Sequence, residues 1–152
     1  MSLYFYGGFM RTKEVLVLSY QESWKDDFEK IAKELQEALG NLILRIEHVG
    51  STSVPELSAK PIIDIDLVIA CDTDLSEVIK ALAAIGYIHE GNLGIEGREA
   101  FAYSGKEHLQ VHHLYVCPED SPELKRHLAF RDYLQIMSVI LKYSKIYLLK
   151  FP

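Results

Sequence analysis

At 152 residues, 49% of them apolar and 25% charged, the chain has the balance of a globular protein and the length for one buried core rather than two. Its net charge of −6 excludes a surface built overall to bind a polyanion, so no extended nucleic-acid binding is expected, although a local basic site is compatible with it. The only cysteines, Cys71 and Cys117, lack a CxxC spacing; they exclude a disulfide framework and a thiolate metal centre and suit a reducing cytoplasm.

The first thirteen residues, MSLYFYGGFMRTK, lack the basic start, long apolar run and small-residue cleavage site of a signal peptide. They are expected to be an extension outside the fold, with Met10 an alternative start, and residues 14–152 to form a single domain. Ser19 and Glu22 have the spacing of a capping box. Trp24, Phe28, Ile31, Ala32, Leu35 and Leu39 then recur at helical spacing until Gly40. Residues 42–49 read as a strand, 50–60 as a loop and 61–70 as a second strand. Asp74 is the cap of a helix whose stripe is Leu75, Val78, Ile79, Leu82 and Ile85, closed by Gly86. Strands are expected at 86–90, 99–104 and 109–116, the first two joined by a Gly-rich hairpin-like connection at 91–97. Ser121-Pro122-Glu123 opens a further helix with a cap and a proline in the first turn. Lys142, Lys145 and Lys150 interrupt the apolar tail too often for a spanning helix, which needs about 20 apolar residues, so no membrane association is expected. The class is α/β (α+β), a single domain with a mixed sheet flanked by helices.

In the second strand Ile63, Ile65, Leu67 and Ile69 share one face, and Asp64 and Asp66 share the other with Ile62 and Val68. The two carboxylates stand roughly 6 to 7 Å apart along the strand, within reach of one hard cation. Either this face is wet, or a cation offsets their repulsion and lost solvation. The preceding loop bears on the choice: Gly50 permits a close-approach backbone, Ser51, Thr52 and Ser53 offer hydroxyls and amides to phosphate oxygens, and Lys60 adds a cation. In the segment 109–116, His113 and His112 point to opposite faces. His113 is a candidate metal ligand or general base, or a half-exposed strand histidine bonded to a neighbour. On the last helix His127 and Arg131 fall within the stripe of Leu124, Leu128 and Leu134. An arginine there needs an anionic partner, either a carboxylate such as Asp64 or a ligand phosphate. His48, just before the turn, either contacts phosphate or orients the loop.

A Gly-Ser turn, twelve residues and then Asp-x-Asp on a strand resembles the DNA polymerase beta-like nucleotidyltransferase superfamily. More closely, EHVGSTSVPELSAKPIIDIDLVI at 47–69, FRDYL at 130–134 and the pair Tyr20 and Trp24 resemble the GrpB family, whose members are sometimes fused to a dephospho-CoA kinase domain. The resemblance implies a nucleotidyltransferase-like fold and a nucleoside triphosphate held by Gly50, Ser51, Thr52, Lys60 and Arg131. It also implies Mg²⁺ or Mn²⁺ on Asp64, Asp66 and His113, and nucleotidyl transfer to an acceptor that the sequence does not identify. Some features depart from the pattern. Glu56 replaces the family's glycine, Tyr115 its last strand histidine, and 109–116 supplies no third carboxylate. The absent third acid and Glu56 favour the alternative, a catalytically inactive nucleotide-binding or protein-interaction module on the same fold, whereas retention of both Asp64 and Asp66 favours the enzyme.

Overall fold

The computed structural model describes residues 16–150, with side chains through residue 146. The elements in chain order are α1 (Ser23–Leu39), β1 (Arg45–Val49), β2 (Ile63–Ile69), α2 (Leu75–Ala84), β3 (Tyr87–Gly91), β4 (Glu99–Tyr103), β5 (His112–Pro118) and α3 (Pro122–Lys150). Single 3-10 turns occupy Gly40–Leu42 and Ser51–Ser53. The five strands form one sheet in the order β1-β2-β5-β4-β3. β2 runs parallel to β5, and the other pairings are antiparallel. This is the expected mixed sheet in a single domain.

Strand alternation decides what each face meets. Ile63, Ile65 and Leu67 are fully buried, and with Ile69 they pack in one cluster with Trp24, Ile31 and Leu35 of α1 and Val78 and Leu82 of α2. Burying each such aliphatic side chain contributes about 1.5–3 kcal/mol, so this face holds most of the core. The opposite face carries Val68 and Cys117, covered by Leu124 and Leu128 from the first turns of α3. Asp64 and Asp66 stand on this second face, between sheet and helix.

Asp74 caps α2 as expected, its Oδ1 accepting from the Ser76 amide at 2.9 Å, and the Ser121 hydroxyl accepts from the Leu124 amide at 3.3 Å at the start of α3. The Ser19–Glu22 capping box does not form. α1 begins at Ser23 with Glu22 making no side-chain cap, because Leu18 and Ala59 exchange backbone hydrogen bonds at 2.9 Å and hold the chain before Ser19 extended. β1 starts at Arg45 rather than residue 42, since the 3-10 turn runs on through Leu42. β5 is displaced to His112–Pro118 because Leu109 closes a turn onto the Lys106 carbonyl. The apolar tail continues α3 to Lys150, and among the described residues no helix is long and apolar enough to cross a membrane. The expectations for residues 1–13 and for Met10 fall outside the described residues.

Candidate functional site: an acidic strand under a histidine

Register places residues of the second face in two rows. Val49, Asp64 and His113 lie across β1, β2 and β5 at the mouth, and Glu47, Asp66 and Tyr115 lie one step deeper. At the mouth Asp64 Oδ1 accepts from His113 Nδ1 at 2.8 Å, with the two side chains 32% and 43% exposed. An ionised carboxylate only accepts, so Nδ1 is the donor of this bond and Nε2 is left for another partner.

Asp66 is fully buried, so the face is not simply wet. Its Oδ2 accepts from His127 Nδ1 at 2.8 Å, and His127 Nε2 donates to Glu123 Oε1 at 3.0 Å. Both ring nitrogens therefore face carboxylates, the arrangement of an imidazolium. Burial pushes the Asp66 carboxyl up, more than its bond from His127 pulls it down. The bond to Asp66 pushes His127 up, against its own desolvation. Asp66 Oδ1 is buried without a hydrogen-bond partner.

The turn before β2 is built onto the acids. Gly50 has φ +72° and ψ −174°, a region essentially reserved for glycine, and a β-carbon there would stand 2.3 Å from Asp64 Oδ2. Behind it Thr52 is buried and donates to the Ile62 carbonyl at 3.2 Å, and His48 Nε2 reaches the same hydroxyl at 3.0 Å. The His48 ring stacks on Phe28 with centroids 4.6 Å apart, and burial lowers its pKa to about 4, so it stays neutral. His48 thus orients the turn. Ser53 Oγ closes the turn by donating to the Gly50 carbonyl at 2.6 Å.

The structure therefore brings Gly50, Asp64 and His113 together at the mouth, with Asp66 deeper on the same face. Arg131 does find a carboxylate, but it is Glu47 at 2.8 Å rather than Asp64; it also donates to the His48 carbonyl at 3.1 Å and to Asp132 at 2.9 Å. It clamps α3 to β1. Burial acts to raise Glu47, and the bonds from Arg131 and Arg45 outweigh it, leaving that carboxyl below its usual range. Lys60 is exposed and forms no ion pair among the described residues. Glu56 adopts φ +66° and turns away to Lys142 at 3.1 Å, so its charge is paired on α3. Two further residues join the site. His127 caps Asp66, and Arg98 lies over the Tyr115 ring at 4.3 Å. The signal for His127 was a histidine in an apolar stripe four residues after a glutamate.

For a divalent cation the donor chemistry fits in part. Mg²⁺ and Mn²⁺ prefer hard oxygen ligands, and Asp66 Oδ1 is an unspent carboxylate oxygen on the face shared with Asp64. Among the described residues, however, no group of three or more His, Cys, Asp or Glu side chains is arranged to hold a metal ion.

A five-stranded mixed sheet with a Gly-Ser turn against two strand aspartates defines a protein of nucleotidyltransferase-like fold. Two solved structures of Cid1, one with a UTP analogue and one with its short product ApU, superpose with TM-score 0.56 at 8–9% identity, covering 79% of this chain and 37% of theirs. The chain belongs to the GrpB family: the family profile described as GrpB protein matches residues 14–145. It is 34% identical to the crystal structure of GrpB from Enterococcus faecalis, with TM-score 0.71 over 84% of this chain and 77% of that one. It is 35% identical to UPF0157 protein YqkA of Bacillus subtilis over 123 residues, which are 81% of this chain and 35% of that protein. It is 37% identical to UPF0157 protein BH1888 of Halalkalibacterium halodurans over 122 residues, 80% of this chain and 60% of that protein. The chain therefore spans about a third to three-fifths of the length of these two curated relatives.

Proposed function

We propose that the protein binds a nucleoside triphosphate in the mouth between the Gly50–Ser53 turn and Asp64, and that it transfers the nucleotidyl group to an acceptor with the help of Mg²⁺ or Mn²⁺. The observation that carries this reading is the close approach of Gly50 to the Asp64 carboxylate, which sets the Gly50–Ser51 turn beside an acid on the same side of the sheet. Cid1 on the same fold is described with a UTP analogue, and that supports a nucleotide as the partner here.

Ser51, with the Gly50 amide, would hold the phosphates. Asp64 and Asp66 would hold the cation, whose chemistry when bound is to offset charge developing on the triphosphate. Asp64 orients His113 through Nδ1, leaving Nε2 to accept a proton from an attacking hydroxyl. The unpaired cysteines and acidic surface fit a cytoplasmic location.

A second reading has its own support. Asp66 is sealed under His127, and its neighbour across β5 is Tyr115 instead of a third acid, which favours a module that binds nucleotide without turnover. Incubation with labelled nucleoside triphosphates, Mn²⁺ and a panel of acceptors separates the two. Pyrophosphate release that is lost in Asp64→Asn supports the transferase. Tight triphosphate binding with no release from any acceptor, and equal affinity in Asp66→Asn, supports the module.

A further inference from the structure

A cavity opens on the far side of the turn, between the start of α1, the residues after Ser51 and the middle of α3. Its volume is about 370 Å³, and neither Asp64 nor His113 lines it. That size lies at the small end of the range for small-molecule sites, roughly 300–1,000 Å³.

The chemistry of its walls is selective. The hydroxyl protons of Ser53 and Ser138 are already given to the Gly50 and Pro55 carbonyls, at 2.6 and 2.8 Å. His48 is neutral, held at about 4 by burial. Besides the Tyr20 hydroxyl, two kinds of donor remain. One is the Lys25 ammonium, which lines the cavity and forms no ion pair among the described residues. The other is the second N–H of the Gln135 amide, whose first is spent on the Ser53 carbonyl at 3.0 Å. Facing them are the Tyr20 ring, Pro55 and Val139. One cation and one amide donor beside an aromatic and aliphatic wall complement a ligand with an anionic head and a compact apolar body.

We propose that this cavity is a binding site for a small organic anion, with its head group on Lys25 and Gln135 and its body against Tyr20, Pro55 and Val139. The cavity shares the turn residues Thr52 and Ser53 with the mouth but neither Asp64 nor His113, and the proposal does not rest on the triphosphate reading. A phosphate monoester and a carboxylate share this chemistry, and the choice of probes distinguishes them.

The test is amide-detected NMR titration of the full chain with phenyl phosphate, benzoate and the neutral analogue benzyl alcohol. The expected result is saturable shifts at Thr52, Ser53, Gln135 and Ser138 with at least one of the two anions, weakened about tenfold or more in Lys25→Gln because a charged hydrogen-bond donor is lost. The stronger of the two anions identifies the head group. Val139→Trp, which fills the cavity from its exposed rim, should abolish the shifts while the rest of the spectrum stays folded. Benzyl alcohol binding as tightly as the anions, unchanged affinity in Lys25→Gln, no saturable shift with either anion, or shifts centred on Gly50, Asp64 and His113 would each overturn the proposal. Failure of a nucleoside triphosphate to bind would count against the proposed function alone.

Discussion

Gly50 and Asp64 are fitted to each other: the glycine supplies a backbone conformation closed to other residues, and the carboxylate occupies the space where a side chain would begin. The contact ties the Gly50–Ser53 turn to the acidic strand, so a change in one displaces the other. Gly50→Ala is expected to destabilise the protein by about 3 kcal/mol from strain and overpacking combined. In an Asp64→Gly background the overpacking part disappears, because both the carboxylate and its β-carbon, 3.1 Å away, are gone. Urea denaturation of the four proteins measures the coupling. Additive effects would show that strain alone acts at residue 50.

Glu56 holds φ +66°, where a side chain is strained, and its pairing with Lys142 joins two exposed groups and so contributes little. Glycine at residue 56 should therefore be more stable than alanine by about 1 kcal/mol, the reverse of the usual order. Thermal melts of Glu56→Gly and Glu56→Ala decide it.

His112 lies on the core face, its Nε2 2.8 Å from the Tyr87 hydroxyl and its ring stacked on Tyr103. Burial lowers its pKa to about 4, against about 6.5 in the unfolded chain. As pH falls through that interval the unfolded chain takes up a proton that the folded one refuses. Stability contributed by the neutral ring is thus complete above pH 6.5 and lost towards pH 4, by an amount of order 3 kcal/mol. His48 acts in the same direction over the same window. Denaturation midpoints at pH 7, 6 and 5 should fall steeply in the wild type and less so in His112→Gln. An unchanged slope would show that His112 is not the source.

Much of this arrangement was readable because it depends on period. Alternation placed Asp64 and Asp66 together opposite the isoleucines, and helical spacing marked α1 and α2, since both patterns are imposed by a core that must be covered. Partnerships across long separations were not readable. An arginine in the apolar stripe of α3 needs an anion, whether carboxylate or phosphate, but the choice of Glu47 depends on how far α3 slides along β1 before Gln135 and Ser138 meet the carbonyls of Ser53 and Pro55. The capping box at Ser19 failed for a similar reason, because a two-residue bridge to Ala59 outweighed a local preference.

The same register sets His127 over Asp66, which yields a prediction about both stability and metal. Removing the imidazole leaves a buried carboxylate with no partner, so His127→Ala should cost roughly 3 kcal/mol, and adding Asp66→Asn should recover most of it. Because the bond to Asp66 raises His127 above its unfolded value, its contribution is complete below about pH 6.5 and fades as pH rises through the folded value. The double variant should lack that alkaline decline. A cation on Asp66 competes with His127 for the same carboxylate. Mn²⁺ should therefore raise the melting temperature of His127→Ala more than that of the wild type by mass action, and have no effect on the Asp64→Asn, Asp66→Asn double variant. Equal shifts in all three proteins would place the ion elsewhere. A shift confined to His127→Ala would mean that α3 has replaced metal with an imidazolium, and the binding module would then be the correct reading.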